Sequence, residues 1–294
     1  MNPLHLNDWD DFEVAYAKSG VSDAKAFYES YLIFKKLFDK LPKQELVRRG
    51  WMSSKDDMSS MVPLLQDIHS HRENALFRKS DTSNVALCAA WKSRVSTVAK
   101  IAVVSQDIGE FQGVDTNYLK DFVKLSVDVS SIASLPKILV ESGIILIYEK
   151  ALPGMKLDGV VFKLASGHPV IGISFRFPRL DNFWFTLMHE LAHVNLHIKI
   201  IDDPIFDDLE YDNQEIIELQ ATRLAKYSFV EKHLWRNCSA KYDMSDEEVI
   251  DFSKKIGIHP AIVAGMLQKE LNKFDMFRKI VDEVDIRGEV FGNE

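Results

Sequence analysis

Two histidines four positions apart, His189 and His193, stand inside the apolar run Phe183-Trp184-Phe185-Thr186-Leu187-Met188-His189-Glu190-Leu191-Ala192-His193, which narrows the choice of fold more than any other segment. At that spacing both imidazoles project from one face of a helix and can reach one ion, while Glu190 sits beside them, offset by one residue. Two histidines on an ordinary helix can also merely cap or pack. Three features favour the metal reading. The helix is amphipathic, Asp181 or Asn182 offers it an N-cap, and a strand-rich segment precedes it.

The arrangement is HExxH. In zinc peptidases of this pattern, neutral imidazoles hold the ion, which lowers the pKa of a water from ~15.7 toward ~7. Glu190 would take that water's proton as general base and pass it to the leaving amine, which is why a carboxylate follows the first histidine. A catalytic zinc takes three protein ligands, so one more is required. His197 is eight residues beyond His189, roughly 12 Å along a continuous helix at ~1.5 Å per residue, too far to share its ion. Val194-Asn195-Leu196 offers no Gly to turn the chain earlier. His197 is therefore read as a helix-end residue or one that supports a ligand. A carboxylate on the next helix is the alternative, and Glu215 and Glu218 are both available. Ala221 and Ala225 share roughly one face with Glu218, and small side chains there would let the two helices lie close. An exposed position on an acidic helix face suits Glu215 better.

The first half of the chain reads as helical. Apolar residues recur at three- and four-residue steps from Val21 to Leu41, and Pro42 stops the run. Helices are expected over Lys43 to Arg49, from Asp56 with an interruption at Pro63, and over the Ala-rich, Gly-free stretch Asn84 to Ser105. Asp107 to Gly113 reads as a loop and carries the domain boundary. Asp115 to Val127 and Ser131 to Ser142 predict two more helices, ending at Gly143, which suits a left-handed C-cap. The period then changes. Ile144 to Glu149, Gly159 to Leu164 and Val170 to Phe175 are short β-branched or aromatic runs that predict a small antiparallel sheet, with residues 165 to 169 as a hairpin loop. Helices follow over Asp181 to Ile198 and Asn213 to Glu231. Another is boxed by Ser245 and Glu248 and stops before Gly257, and the next begins at Pro260.

Composition bounds the rest. The 294 residues are 46% hydrophobic and 27% charged, enough for a large core and unlike a disordered chain. Two cysteines 150 residues apart exclude a disulfide framework and a cysteine zinc site. With no signal-like N-terminus and no run of 18 apolar residues, a cytoplasmic protein without a membrane span is expected. Net charge is -8, from 36 basic and 44 acidic residues, which weighs against nucleic-acid binding over the whole surface. That excess is local. Residues 201 to 220 carry eight acids and no Lys or Arg, so the rest balances at 36 against 36. The acidic stretch joins the two proposed metal-binding helices, so its location points to the site more than its size argues against nucleic acid.

The segment Phe185-Thr186-Leu187 through His197, followed by Glu218 through Ala225, resembles the ImmA/IrrE-type metallopeptidases, whose pattern is FTLxHExxHxxxH and then ExxAxxxA. Leu157-Asp158-Gly159, Arg179 through Trp184, Ile201-Asp202-Asp203 and Gly257 through Gly265 extend the resemblance over about residues 131 to 270. It implies one catalytic zinc ion held by His189, His193 and Glu218, with Glu190 as base. The implied activity is a cytoplasmic endopeptidase that makes a limited cut in a partner. That partner is expected to be a helix-turn-helix repressor or antitoxin encoded nearby, in stress, mobile-element or toxin-antitoxin control. Ala192 stands where many members have Gly. Fused relatives begin with a helix-turn-helix, for which residues 1 to 30 are too short, so the DNA-binding partner is expected to be a separate polypeptide.

Two rivals differ in class. Val249 to Gln268 has helix-turn-helix spacing, but its second helix lacks Arg and Asn and has Gln268 and Lys269 only at its end, so a packed helical hairpin is expected and direct nucleic-acid binding is not. The basic cluster Lys35, Lys36, Lys40, Lys43, Arg48 and Arg49 is read as a solvated helix face. A non-cleaving regulator that uses the fold for protein binding is the other rival, and the intact Glu190 argues against it. Arg179, Tyr211, Tyr227 and His259 are candidates to steady the oxyanion, and Asp202 and Asp203 to orient a ligand imidazole. The expected architecture is α+β: residues 1–110 form a helical region for partner recognition, and residues 111–294 a zincin-like domain of small antiparallel sheet and active-site helices.

Overall fold

The computed structural model describes residues 13, 16–17, 23–70, 83–200 and 211–292. Two compact units result, one of residues 1–101 with 151–157 and one of residues 102–150 with 158–294. In the first unit, α1 (Ala24–Phe38) is capped by Asp23, whose carboxylate accepts from the Ala26 amide at 3.0 Å. Its apolar face buries Phe27, Tyr31 and Phe34 and packs on α3 (Val62–Ser70), which buries Leu64 and Leu65, while α2 (Lys43–Arg48) buries Leu46 and α4 (Ser83–Ser105) buries Trp91. The interruption expected at Pro63 is a 3-10 turn, Met58–Met61, that leads directly into α3. Residues 151–157 are tied into this unit by Arg49, whose Nη2 donates to the Ala151 carbonyl at 2.8 Å, and by Asn84, whose Oδ1 accepts from the Lys156 amide at 2.7 Å.

In the second unit, α5 (Thr116–Phe122) starts at Asp115, whose side chain accepts from the Tyr118 amide at 2.7 Å. The two helices expected over 115–142 are shorter than their periodicity implied. Val123–Val127 and Val129–Ser134 tighten into 3-10 turns around the extended residue Asp128, and only α6 (Leu135–Val140) resumes the wider helix. Gly143 closes it at φ 73°, and a side chain there would lie 2.7 Å from the Phe111 Cα, so both backbone conformation and space call for glycine.

Three strands follow, β1 (Ile145–Tyr148), β2 (Gly159–Lys163) and β3 (Pro169–Ile173), in the order β1-β3-β2. The hairpin of β2 and β3 is antiparallel, with Gly159 opposite Ile173. β1 runs parallel to β3, so the sheet is mixed rather than antiparallel. The reason lies in the connection. A parallel pair needs a long excursion, which residues 149–158 and then β2 supply, and β3 returns between the two earlier strands. Every residue of β3 is buried, as befits the central strand.

Against this sheet lies α7 (Leu180–His197), with Leu180, Trp184, Leu187, Met188, Leu191 and Ala192 fully buried. Its N-cap is Arg179, not Asp181 or Asn182. Asp181 instead binds the Arg179 guanidinium, Nε to Oδ1 at 2.9 Å and Nη2 to Oδ2 at 2.7 Å, and the same Nη2 donates to Gln268 Oε1 at 2.8 Å. α8 (Tyr211–Phe229) packs on α7, with Ala221 and Ala225 buried. The chain continues through α9 (Lys232–Arg236), α10 (Asp246–Ile256), α11 (Pro260–Leu271), α12 (Arg278–Val281) and α13 (Ile286–Phe291). Ser245 caps α10, accepting from the Glu248 amide, and Gly257 ends it at φ 67°. Residues Ala261 to Gln268 of α11 are all buried, and α10 and α11 pack against each other as a hairpin. No helix among the described residues is long and apolar enough to cross a membrane.

Candidate metal centre

α7 and α8 bring His189, His193 and Glu218 together. His189 Nε2 lies 3.1 Å from His193 Nε2 and 3.0 Å from Glu218 Oε2, and His193 Nε2 lies 3.5 Å from Glu218 Oε1. Ligands held tetrahedrally at the usual zinc distances stand roughly 3.3–3.6 Å apart, so the three groups already sit near the edge lengths of such a site. Two ring nitrogens and a carboxylate are the donor set of a zinc hydrolase, and they fit that ion. The helix spacing explains the first pair, and the small Ala221 at the crossing lets α8 approach closely enough to deliver the third group. Ala192 is fully buried in the core.

Burial works against a charge on His189, but the Glu218 hydrogen bond and the charges of Glu190 and Glu218 outweigh it and raise its pKa. Hydrogen bonds with His189 and His193 hold the Glu218 carboxyl well below the usual carboxylate range. Glu190 is buried, and that burial pushes its pKa up to about 7, opposed by the His189 charge and aided by Glu218.

Glu190 also explains Gly159. A side chain on Gly159 would lie 2.6 Å from Glu190 Oε1 and 2.6 Å from Thr186 Cγ2, so β2 approaches α7 only because that position is bare. Among the described residues β2 pairs with β3, and its first residue, Gly159, lies beside the general-base candidate.

The remaining expectations divide. His197 ends α7, and its Nδ1 is 3.1 Å from His193 Nδ1 while its Nε2 is 3.1 Å from Gln220 Oε1. Burial lowers the His197 pKa. Arg179 is engaged with Asp181 and Gln268, a clamp at the start of α7 rather than a group beside the metal candidates. His259 caps α11, its Nδ1 accepting from the Ala261 amide at 3.2 Å, and burial lowers its pKa. Tyr227 lies half-buried on α8, nine residues past Glu218. Asp202, Asp203 and the Tyr211 side chain fall outside the described residues. Sequence reasoning missed Gln220 and Thr222. Thr222 Oγ1 is 3.4 Å from His189 Nδ1, so both flank the ligand helix from positions two and four residues past Glu218.

A small mixed sheet covered by a histidine-bearing helix, with a second helix supplying a carboxylate, defines the class: an α+β, zincin-like peptidase domain. Residues 140–265 match the model of the IrrE N-terminal-like domain (Peptidase_M78), which supports a metallopeptidase of that kind. Residues 1–139 and 266–294 lie outside the match. No curated protein and no solved structure matches the chain significantly.

Proposed function

We propose that the chain is a zinc-dependent endopeptidase making a limited cut in a partner protein, a helix-turn-helix repressor or antitoxin recognised through residues 1–110. The observation that carries the reading is the convergence of His189 Nε2, His193 Nε2 and Glu218 on one point, with the buried carboxylate of Glu190 on the same helix as the two histidines. A zinc ion bound there supplies Lewis-acid activation of water and of the scissile carbonyl. Glu190 takes a proton from the attacking water as the C–O bond forms. The same carboxyl then gives that proton to the amide nitrogen, the C–N bond breaks, and an acid and an amine leave. The substrate strand lies extended along an edge of the small sheet, gaining backbone hydrogen bonds by strand addition.

Metal analysis of wild type and His189→Ala, paired with cleavage of the adjacent regulator by wild type and Glu190→Gln, tests this. One zinc per wild-type chain, loss of that zinc in His189→Ala, and zinc without cleavage in Glu190→Gln are expected. A wild type free of zinc removes the centre, and a Glu190→Gln variant as active as wild type removes the mechanism.

A further inference from the structure

The side chains behind His193 form a chain whose direction can be worked out atom by atom. A neutral imidazole has one N–H and one bare nitrogen, and an amide oxygen only accepts. Gln220 Oε1 faces His197 Nε2 at 3.1 Å, so the His197 proton belongs on Nε2. Its Nδ1 is then bare, and the His193 Nδ1 that stands 3.1 Å away has to be the donor. His193 is left with a bare Nε2, the nitrogen that points at His189 and Glu218. Both histidines are buried, His197 at 3% and His193 at 6% exposure, so water does not readily enter between them.

We propose that His197 and Gln220 are positioning residues that fix His193 as the Nδ1–H tautomer and so hold its Nε2 lone pair on the metal centre. A ligand histidine ordinarily donates its second N–H to a carboxylate or a carbonyl. Here the acceptor is a second histidine, and the amide on α8 sets that histidine's polarity. α8 thus supplies a ligand, Glu218, and also orients a ligand on α7. On the other flank of Ala221, Thr222 approaches His189 Nδ1 at 3.4 Å, a looser contact of the same kind. The opposite order, with the Gln220 amide donating, would put the His193 proton on Nε2 and close that nitrogen to a metal.

The proposal rests on the zinc reading above, and its test separates the two. Histidine-labelled full-length protein, metal-free at pH 8, is examined by long-range 1H–15N correlations, which report the protonated nitrogen of each ring. Zinc affinity is measured by competition with a chromophoric chelator. In wild type the His193 proton is expected on Nδ1 and the His197 proton on Nε2. Gln220 is exposed on α8, so its variants should fold. Gln220→Leu should let the pair reverse and weaken zinc binding roughly 10–100-fold, while Gln220→Glu, which still accepts, keeps wild-type tautomers and affinity. A metal-free wild type with the His193 proton on Nε2 overturns the proposal, as does a Gln220→Leu variant that binds zinc as tightly as wild type. A wild type that binds no zinc overturns the metal reading and this proposal together, and the wild-type binding curve alone identifies that outcome.

Discussion

Replacing Arg179 by alanine tests how α7 is anchored and whether Arg179 has any part in chemistry. Its guanidinium makes two short bonds to Asp181, whose side chain is 2% exposed, and one to Gln268. Arg179→Ala strands a buried carboxylate without its cation, at a cost of ~3–5 kcal/mol. Asp181→Ala leaves a guanidinium whose side chain is 24% exposed, and which can rehydrate and keep Gln268, so the loss should be nearer ~2 kcal/mol. The asymmetry follows from the two exposures. At ~2–4 °C per kcal/mol for a chain of this size, Arg179→Ala should melt roughly 6–20 °C below wild type. The double variant should lose less than both single losses added, because each single change strands the other group. Urea or thermal unfolding, followed by circular dichroism, reads all three. If Arg179→Ala unfolds within ~1 kcal/mol of wild type while peptide cleavage collapses, the clamp is wrong and Arg179 faces the reaction centre.

Gly159→Ala should retain zinc but lose roughly tenfold to a hundredfold in kcat, since the new methyl meets Glu190 at 2.6 Å and a ~1 Å shift of a catalytic group has that scale of effect; unchanged kcat would mean β2 does not confine Glu190. In the metal-free protein the Glu190 pKa of about 7 exceeds the ordinary 4.5, so this group favours folding fully below pH 4.5 and loses that contribution as pH rises through 7. Subtracting the Glu190→Gln stability profile should expose that decline, and a difference that is flat from pH 4.5 to 7 would refute it. Glu270 behaves oppositely: burial raises its pKa, but hydrogen bonds from Lys241, Trp235 and Lys226 override this and hold it at about 2. Its contribution should be present above pH 4.5 and fade toward pH 2, a slope that Glu270→Gln removes from acid-unfolding curves. Zinc at a hundredfold excess over its Kd should raise unfolding stability by ~2.7 kcal/mol and a chelator should reverse the gain, whereas a melting temperature insensitive to both argues against a site in the folded chain.

What the sequence disclosed and what it hid follow from the range of each interaction. His189, Glu190 and His193 share one helix, so their juxtaposition is local and their spacing suffices. The approach of Glu218 was legible through Ala221 and Ala225, because small residues on one face mark a close helix crossing. The β2–β3 hairpin was legible from its β-branched and aromatic runs and the turn between them, whereas the parallel pairing of β1 depends on where residues 149–158 travel. The N-cap was misassigned because Asp181 has the right residue type, but its carboxylate is held by the Arg179 guanidinium, which is itself tied to Gln268, 89 residues further along the chain. Gln220, Thr222 and Gly159 act through contacts across elements and carry no local signature beyond their distance from Glu218 and the motif.

The two helices divide the work so that neither alone forms a site. α7 brings two imidazoles and a base whose proton affinity is set by burial, and its grip on the sheet depends on Gly159 having no side chain. α8 brings the third candidate ligand together with the groups that face the far nitrogens of both imidazoles, directly through Thr222 and by way of His197 through Gln220. Glu218 and Gln220 leave their helix on opposite flanks of Ala221, at ~100° per residue, so a shift of the crossing moves ligand and orienting group at once. Enlarging Ala221 should therefore disturb metal affinity and imidazole tautomer together, where a change confined to Glu218 would remove a ligand and leave the His193–His197–Gln220 order intact. That difference makes the crossing itself, rather than any single side chain, the element that assembles the centre.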